Sequence, residues 1–496
     1  MNEAPLFRRY WPLRSPAQVA GFGLFFLPAL FLAACAPNLG PRPQPASLSD
    51  FAYKKSVATP NAQTAWPKAD WWTAYHDAQL NGLIGEALNH SPDMKIAVAR
   101  LDLARASARQ TGASLWPTLS ANGSVRPTRQ SLNTGFPDSF KPLLPHGWHN
   151  EARTTADLDY QLDLFGKNRA ALAAATSEAE AAQVDVAAAR LTLSTAVADA
   201  YARLVQLGGD RRAANDAVRL RQQSRDLVSA RVSQGLENTG QLAQADARLD
   251  AAKANQDAVE GQIVLTRNQL AALLGKGPDR GRSIAVPQIP ALKAFGVPAS
   301  LDADLLSRRP DITAARLRAE AAAARIDVAH ADFYPNIDLT GYFGLQSLNA
   351  ANLLEKASII GQIGPALHLP IFDGGRIEGA YRGARARYDE AVASYNKTLS
   401  DALHDVADAV ANQRELEKEL GHARASQTAS EKAYRIARLR YRGGLSRYLD
   451  VLTAEDTLVQ QRRAVTDLEA RAFTQDIALV RALGGGFVFE TAPKKL

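Results

Sequence analysis

The chain is written twice, and no other feature restricts its fold as much. Arg231, Gly235, Leu236, Gln241, Leu242, Ala245, Asp246 and Leu249 recur as Arg440, Gly444, Leu445, Asp450, Val451, Ala454, Glu455 and Leu458, always 209 positions later. The spacing holds to Leu274-Gly275 and Leu483-Gly484. Earlier, Pro92-Asp93 and Trp116-Pro117 correspond to Pro310-Asp311 and Tyr334-Pro335 at a slightly larger offset. Two copies of one long unit are expected. Solenoid repeats are far shorter, about 20–50 residues. The doubling points instead to two equivalent halves that share one wall or one pore.

The first residues read as a targeting segment. Arg8, Arg9 and Arg14 precede an apolar run from Val19 to Leu32, which ends in Leu32-Ala33-Ala34-Cys35. A basic start, an apolar stretch and small residues make a secretory signal. Cys35 is the chain's one cysteine, so no intramolecular disulfide can form. Its place at the end of the signal makes it the expected lipid-bearing residue, and no other cofactor is expected. An uncleaved anchor helix is the alternative. Ala36 in place of an Asp favours the outer membrane. A proline-rich tether follows, Pro37 to Pro45.

Six spans read as helix: 92–114, 167–234, 239–274, 310–332, 374–442 and 447–483. Residues 167–234 as one helix would reach ~100 Å at 1.5 Å per residue, and Gly208-Gly209 is a candidate interruption. Alanine-rich seams with polar outer faces suit coiled-coil walls. Four stretches alternate instead. In 155–165, Asp157, Asp159 and Gln161 oppose Leu158, Tyr160 and Leu162. Residues 116–125, 336–345 and 359–371 alternate likewise. Each has the length of a transmembrane β-strand with one apolar and one polar face. Loop-like stretches 126–152 and 346–358 join them into two hairpins. No later run has the ~18 apolar residues of a spanning helix, so a membrane crossing here needs strands. Four strands cannot close a barrel, and an open edge in lipid leaves backbone groups unpaired. Self-association is therefore expected, with eight strands from a dimer or twelve from a trimer. The polar faces favour the larger, water-filled option.

Several motifs make nearly the whole mature chain resemble the outer-membrane efflux channels of the TolC, OprM and NodT type, and the lipobox-like start resembles the OprM and NodT branch that serves RND efflux pumps. The motifs are Leu32-Ala33-Ala34-Cys35, Tyr160 to Lys167, Ser307 to Ile312, Phe333-Tyr334-Pro335, Pro370 to Arg376, and Ala482 to Gly486. The resemblance implies an α+β membrane protein: a long α-helical barrel of coiled-coil helices plus a transmembrane β-barrel formed by a homotrimer, four strands per chain. It implies a belt from residues around 47–80, 208–225, 276–305 and 485–496. It also implies docking on a periplasmic adaptor protein and an inner-membrane RND pump, with export of small amphiphilic compounds. The expected organisation is 1–34 signal peptide, 35–80 anchor, tether and equatorial segment, 81–277 first repeat with hairpin 116–165, 278–305 linker, 306–484 second repeat with hairpin 334–372, and 485–496 tail.

The turn from Tyr441 to Thr453 matches the family's periplasmic tip, where an inner helix pair closes the tunnel. A ring of three Asp450 carboxylates is expected there, with Leu449 as an apolar constriction. The expected gate also includes Thr453, at the family's second acidic position, and Gln241, the first-repeat equivalent of Asp450. Asp450 also reads as a helix cap aided by the dipole. Gly235, Gly443, Gly444 and Arg447 are the expected adaptor-docking tip, the glycines permitting the tight turn.

Other features carry no chemistry. His146 and His149 flank Trp148 in a loop and make a poor metal site, so no metal is expected. Gly374-Gly375-Arg376 lacks a phosphate loop's lysine. The net charge of +7 is scattered among acids, which argues against nucleic-acid binding. No catalytic constellation is present, and a non-enzymatic duct is expected. The rival readings are a pore-less periplasmic coiled-coil lipoprotein with a structural or adaptor role, and a duct for type I protein secretion or metal-ion efflux.

Overall fold

The computed structural model describes residues 37–57, 65–133, 135, 137–287, 295 and 307–489. The expected signal peptide and Cys35 lie outside them, as do 58–64, most of the 278–305 linker and the tail beyond Phe489.

Two helices open where proline can take the first position, since its missing N–H has no helical partner there. These are α2 (Pro92–Ala113) and α5 (Pro310–Ala331). Before α2 stands α1 (Ala78–His90), which crosses the expected boundary at residue 80 and is not among the six helical spans expected from the sequence. The Asp77 side chain caps it by accepting from Gln79 and Leu80 N–H, and its apolar stripe Leu80, Leu83, Ile84 and Ala87 is buried.

The long helices are α3 (Lys167–Ser233), α4 (Thr239–Leu273), α6 (Arg376–Arg442) and α7 (Tyr448–Ala482). α3 is unbroken, which corrects the reading of Gly208-Gly209 as an interruption. A Cβ on Gly208 would sit 2.8 Å from Val286 Cγ1 and 3.0 Å from the Pro287 carbonyl oxygen. The glycine admits a crossing strand of backbone and does not bend its own helix.

The strands are β1 (Thr118–Thr128), β2 (His149–Leu162), β3 (Asn336–Ser347) and β4 (Ile359–His368). They form one antiparallel sheet in the order β1-β2-β3-β4. Two strands stop earlier than their alternation suggested. Asp163 leaves β2 because its carboxylate accepts the N–H groups of Asn168 at 3.0 Å and Arg169 at 2.9 Å, the open donors of α3. Asp373 does the same for α6, accepting from Gly375 at 3.0 Å and Ile377 at 2.8 Å. That helix therefore starts at Arg376 and not at Gly374.

Register decides what each face of the sheet presents. Leu119 lies beside Leu158, Leu158 beside Gly341, and Gly341 beside Ile363. The same face carries Ala156, Phe343, Tyr160, Leu339 and Leu367. The opposite face carries Asn122, Thr155, Asp157, Asp159, Asp338, Gln362 and His368. β1 and β4 each have one unpaired edge within the chain.

The chain divides into two compact units. One is made of the sheet with Arg109–Ala174 and Ala322–Tyr388. The other holds Pro43–Ala108, Ala175–Ala321 and Asp389–Leu496. In the second, Trp71, Tyr75, Leu80, Tyr201, Leu207 and Phe473 share one buried cluster. Burying each large apolar side chain contributes roughly 1.5–3 kcal/mol. Among the described residues no helix is long and apolar enough to cross a membrane.

Candidate functional site

Two helical hairpins, α3–α4 and α6–α7, turn in the same way. Each first helix ends on a glycine in the left-handed region, Gly235 at φ 71° and Gly444 at φ 71°. The next residue closes the turn, Leu236 N–H to the Arg231 carbonyl at 2.9 Å and Leu445 N–H to the Arg440 carbonyl at 2.8 Å. Gly443 keeps an ordinary φ and lies next to that cap.

The second helices start differently. Asn238 caps α4 through its side chain, which accepts the Gln241 N–H at 3.1 Å. Its counterpart Arg447 has no acceptor to offer. There Asp450, in the first turn of α7, reaches back and accepts the Arg447 N–H at 3.2 Å. Asp450 is thus not the N-cap residue itself. It supplies the returning half of a capping box. Thr453 donates its hydroxyl to the Leu449 carbonyl at 3.0 Å.

The turns are tied together. Arg231 stacks on the Tyr441 ring at 4.7 Å and donates to the Tyr441 carbonyl at 3.4 Å. The Tyr441 hydroxyl donates to Glu237 at 3.1 Å, and burial followed by that carboxylate raises its pKa. Between the turns lies a cleft of about 640 Å³ lined by Gln241, Arg447 and Leu449. Asp450 and Thr453 face a different cleft of about 480 Å³, between α6 and α7. The structure therefore parts Gln241 from Asp450 although they are repeat counterparts. Leu449 is 64% exposed in the single chain.

Behind the turns is a buried ionic cluster that sequence reading missed. Glu455 on α7 is fully buried. Its carboxylate accepts from the Ser224 hydroxyl at 2.6 Å and lies 2.9 Å from Arg221. Arg221 also pairs with Asp456, which Arg248 of α4 contacts at 2.6 Å. Burial pushes Glu455 above the usual carboxylate range, against Ser224 and Arg221. Asp456 goes the other way: partial burial raises it, but Arg248 and Arg221 hold it down. The signal was present as the repeated acids Asp246 and Glu455. Asp246 meets Arg225 at 2.9 Å within the first hairpin, whereas Glu455 joins the two hairpins. Elsewhere, His146 is exposed and His149 opens β2. Among the described residues, no three His, Cys, Asp or Glu side chains come together as metal ligands.

A sequence profile of the family described as outer membrane efflux protein matches residues 83–276 and again 302–485, once per repeat. The chain belongs to that family. Its fold resembles the crystal structure of the outer membrane protein VceC from Vibrio cholerae, with a TM-score of 0.81, 42% identity, and coverage of 85% of this chain and 100% of that one. It is 31% identical to the multidrug resistance outer membrane protein MdtP of Escherichia coli K12, over 92% of this chain and 93% of MdtP. It is 35% identical to the fusaric acid resistance protein FusA of Burkholderia cepacia, over 75% of this chain and 71% of FusA. The expected class holds: an outer-membrane efflux channel of long helices and barrel strands, doubled within one chain.

Proposed function

We propose that three copies of this chain form a passive duct, gated at the periplasmic tips, that exports small amphiphilic compounds delivered by an inner-membrane RND pump through a periplasmic adaptor. The sheet register carries the trimer. One face is apolar from Leu119 to Leu367, the other is polar, and both edge strands lack partners in the chain. Such edges are untenable in lipid and are satisfied by neighbouring copies. Twelve strands leave a water-filled lumen for the polar face.

The gate residues are Asp450 and Leu449, placed at the start of α7. Three Asp450 carboxylates would favour cations at a constriction. Thr453, which bonds the Leu449 carbonyl in the first turn of α7, and Gln241, which lines the cleft with Leu449, complete the proposed gate. The turn with Gly235, Gly443, Gly444 and Arg447 is the docking tip for the adaptor. Cys35, as a lipid-bearing residue, would anchor each copy.

Support for a gate comes from the Arg221–Glu455 contact, which ties one hairpin to the other. Ion conductance of the purified protein in planar bilayers is the test. Small or flickering current that grows in Asp450→Ala is expected. Equal current from the two would remove the gate from Asp450, and a protein that does not insert would leave a pore-less lipoprotein.

A further inference from the structure

The segment that follows the expected lipid site is gripped by side chains of α5 and α6. Arg385 of α6 is only 9% exposed. Its Nη1 donates to the Gly40 carbonyl at 3.3 Å and its Nη2 to the Pro41 carbonyl at 3.0 Å. Arg42 pairs with Asp327 of α5 at 2.8 Å, and the Ala46 N–H donates to the Asn396 side chain at 2.8 Å. Leu48 and Phe51 then pack against Tyr395 and Leu399. The residue numbers of segment and helix rise together, so the chain before Gly40 leads back toward the start of α6.

Arg385 is an unusual grip. A guanidinium so deeply buried ordinarily meets a carboxylate. Among the described residues none pairs with this one, and its two acceptors are backbone carbonyls of the passing segment.

The doubled sequence supplies an independent comparison. The counterpart of Arg385 in α3 is Thr176, and that of Asn396 is Ala187. By the correspondence that pairs Pro92 with Pro310, the counterpart of Asp327 is Arg109. The three grips occur together only in the repeat along which this segment runs. Residues needed merely to build the helices would have no reason to differ in this way.

Resting on the reading of Cys35 as the lipid-bearing residue, we infer that Arg385, with Asp327, is a positioning clamp that holds the acyl chains of Cys35 beside the strands of the sheet. The length of the leash decides this. The five peptide steps from Cys35 to Gly40 span at most ~17 Å when extended, and Pro37 and Pro41 favour extension. Arg385 lies about 14 Å along the axis of α6 from Arg376, at 1.5 Å per residue. The lipid therefore reaches the level at which α6 meets the strands, and little beyond it. Without Arg385 and Asp327 the next hold is Asn396 on Ala46, and the leash grows to roughly 38 Å. The clamp makes the anchor part of the lipid boundary of the sheet and not the end of a free tether.

The test uses the full-length protein grown with a diazirine-bearing fatty acid, purified, and reconstituted in vesicles of unlabelled phosphatidylethanolamine and phosphatidylglycerol. On irradiation the lipid of Cys35 should cross-link to the strands, located by mass spectrometry. Arg385→Ala/Asp327→Ala should lower the protein share of the cross-links about threefold, because effective concentration falls roughly as the −3/2 power of leash length. Inserting about six Gly and Ser residues after Asn38 lengthens a flexible leash with the clamp intact. It should act alike, and it serves if the double variant does not fold. Equal protein shares in the three proteins, or parent cross-links to phospholipid alone, overturn the inference. So does a double variant that loses the cross-links while the insertion keeps them, because Arg385 would then act on the fold and not on the leash. Fatty acid uptake is read on the same samples. A parent without it loses the reading of Cys35 and this inference with it, whereas a labelled parent with indifferent cross-links loses the inference alone.

Discussion

The carboxylate of Asp450 accepts the backbone N–H of Arg447 at 3.2 Å. One repeat earlier, Asn238 does the reverse, its side chain accepting the N–H of Gln241 at 3.1 Å. Each hairpin thus spends one polar side chain on its second helix, but from opposite ends of the same pair of positions. In the first repeat the cap is neutral. In the second it carries a charge at the tip, so the cap and the proposed gate charge fall on one residue.

The two roles separate by substitution. Asp450→Asn keeps an acceptor and loses the charge. Asp450→Ala loses both, and a lost cap costs about 1 kcal/mol. Both variants should reduce cation preference in planar bilayers, and only alanine should lower the melting temperature. An asparagine variant with unaltered ion preference would leave Asp450 as a cap and nothing more.

Arg221 is nearly buried beside fully buried Glu455. Arg221→Met strands that carboxylate, and breaking such a pair costs about 3–5 kcal/mol. Arg221→Met/Glu455→Gln removes the stranded charge while keeping an acceptor for Ser224. The double variant should recover most of the lost stability yet conduct like an unlatched channel. Additive losses in a thermal-melt cycle would show that the pair does not act as a unit.

Gly208 lies against Val286 and Pro287, whereas a Cβ on Gly421 meets nothing within 4 Å. Gly208→Val should destabilise by about 1–3 kcal/mol through overpacking. Gly421→Ala should instead gain up to about 1 kcal/mol of helix propensity. Urea midpoints compare the two directly, and equal shifts would remove the close approach as the reason for Gly208.

Leu158 sits between Leu119 and Gly341 on the apolar face, and Asp159 next to it faces the other way. Leu158→Lys should cost roughly 2–4 kcal/mol near mid-membrane and block insertion into the outer membrane. Asp159→Asn should be mild. Membrane fractionation reads both, and similar yields would reverse the assignment of the faces.

The parts legible in sequence were those held by local rules. Pro92 and Pro310 marked helix starts, Gly235 and Gly444 marked turns, and alternation in Asp157 to Leu162 marked a strand face. Three things were not legible. Strand ends depended on Asp163 and Asp373 turning to cap the following helices. Gly208 looked like a breaker because its partner, Val286, is distant in sequence. The Arg221–Glu455 pair spans two hairpins, and no periodicity reports a contact of that separation. α1 is a different case: Asp77 and the Leu80, Leu83, Ile84, Ala87 spacing were sufficient to find it.

Asp476 gives a pH dependence with a definite sign. It is 4% exposed, and its carboxylate accepts from the Tyr75 hydroxyl at 2.8 Å and from the Phe295 N–H. Both donors are neutral. Burial pushes it up to about 6, against those two hydrogen bonds. A folded value above the unfolded one means that the native state holds the proton longer. Its stabilising contribution is therefore complete below about pH 4, the ordinary carboxylate value, and is lost as pH rises through about 6. A shift of roughly two units corresponds to about 3 kcal/mol at neutral pH. Asp476→Asn stays neutral and keeps an acceptor for Tyr75. Its melting temperature should exceed that of the parent at pH 7, and the gap should close by pH 4. The difference between the two proteins isolates this group from carboxylates such as Asp456, whose lowered values act with the opposite sign. A gap that stays constant from pH 4 to 7 would mean that Asp476 does not titrate in that window.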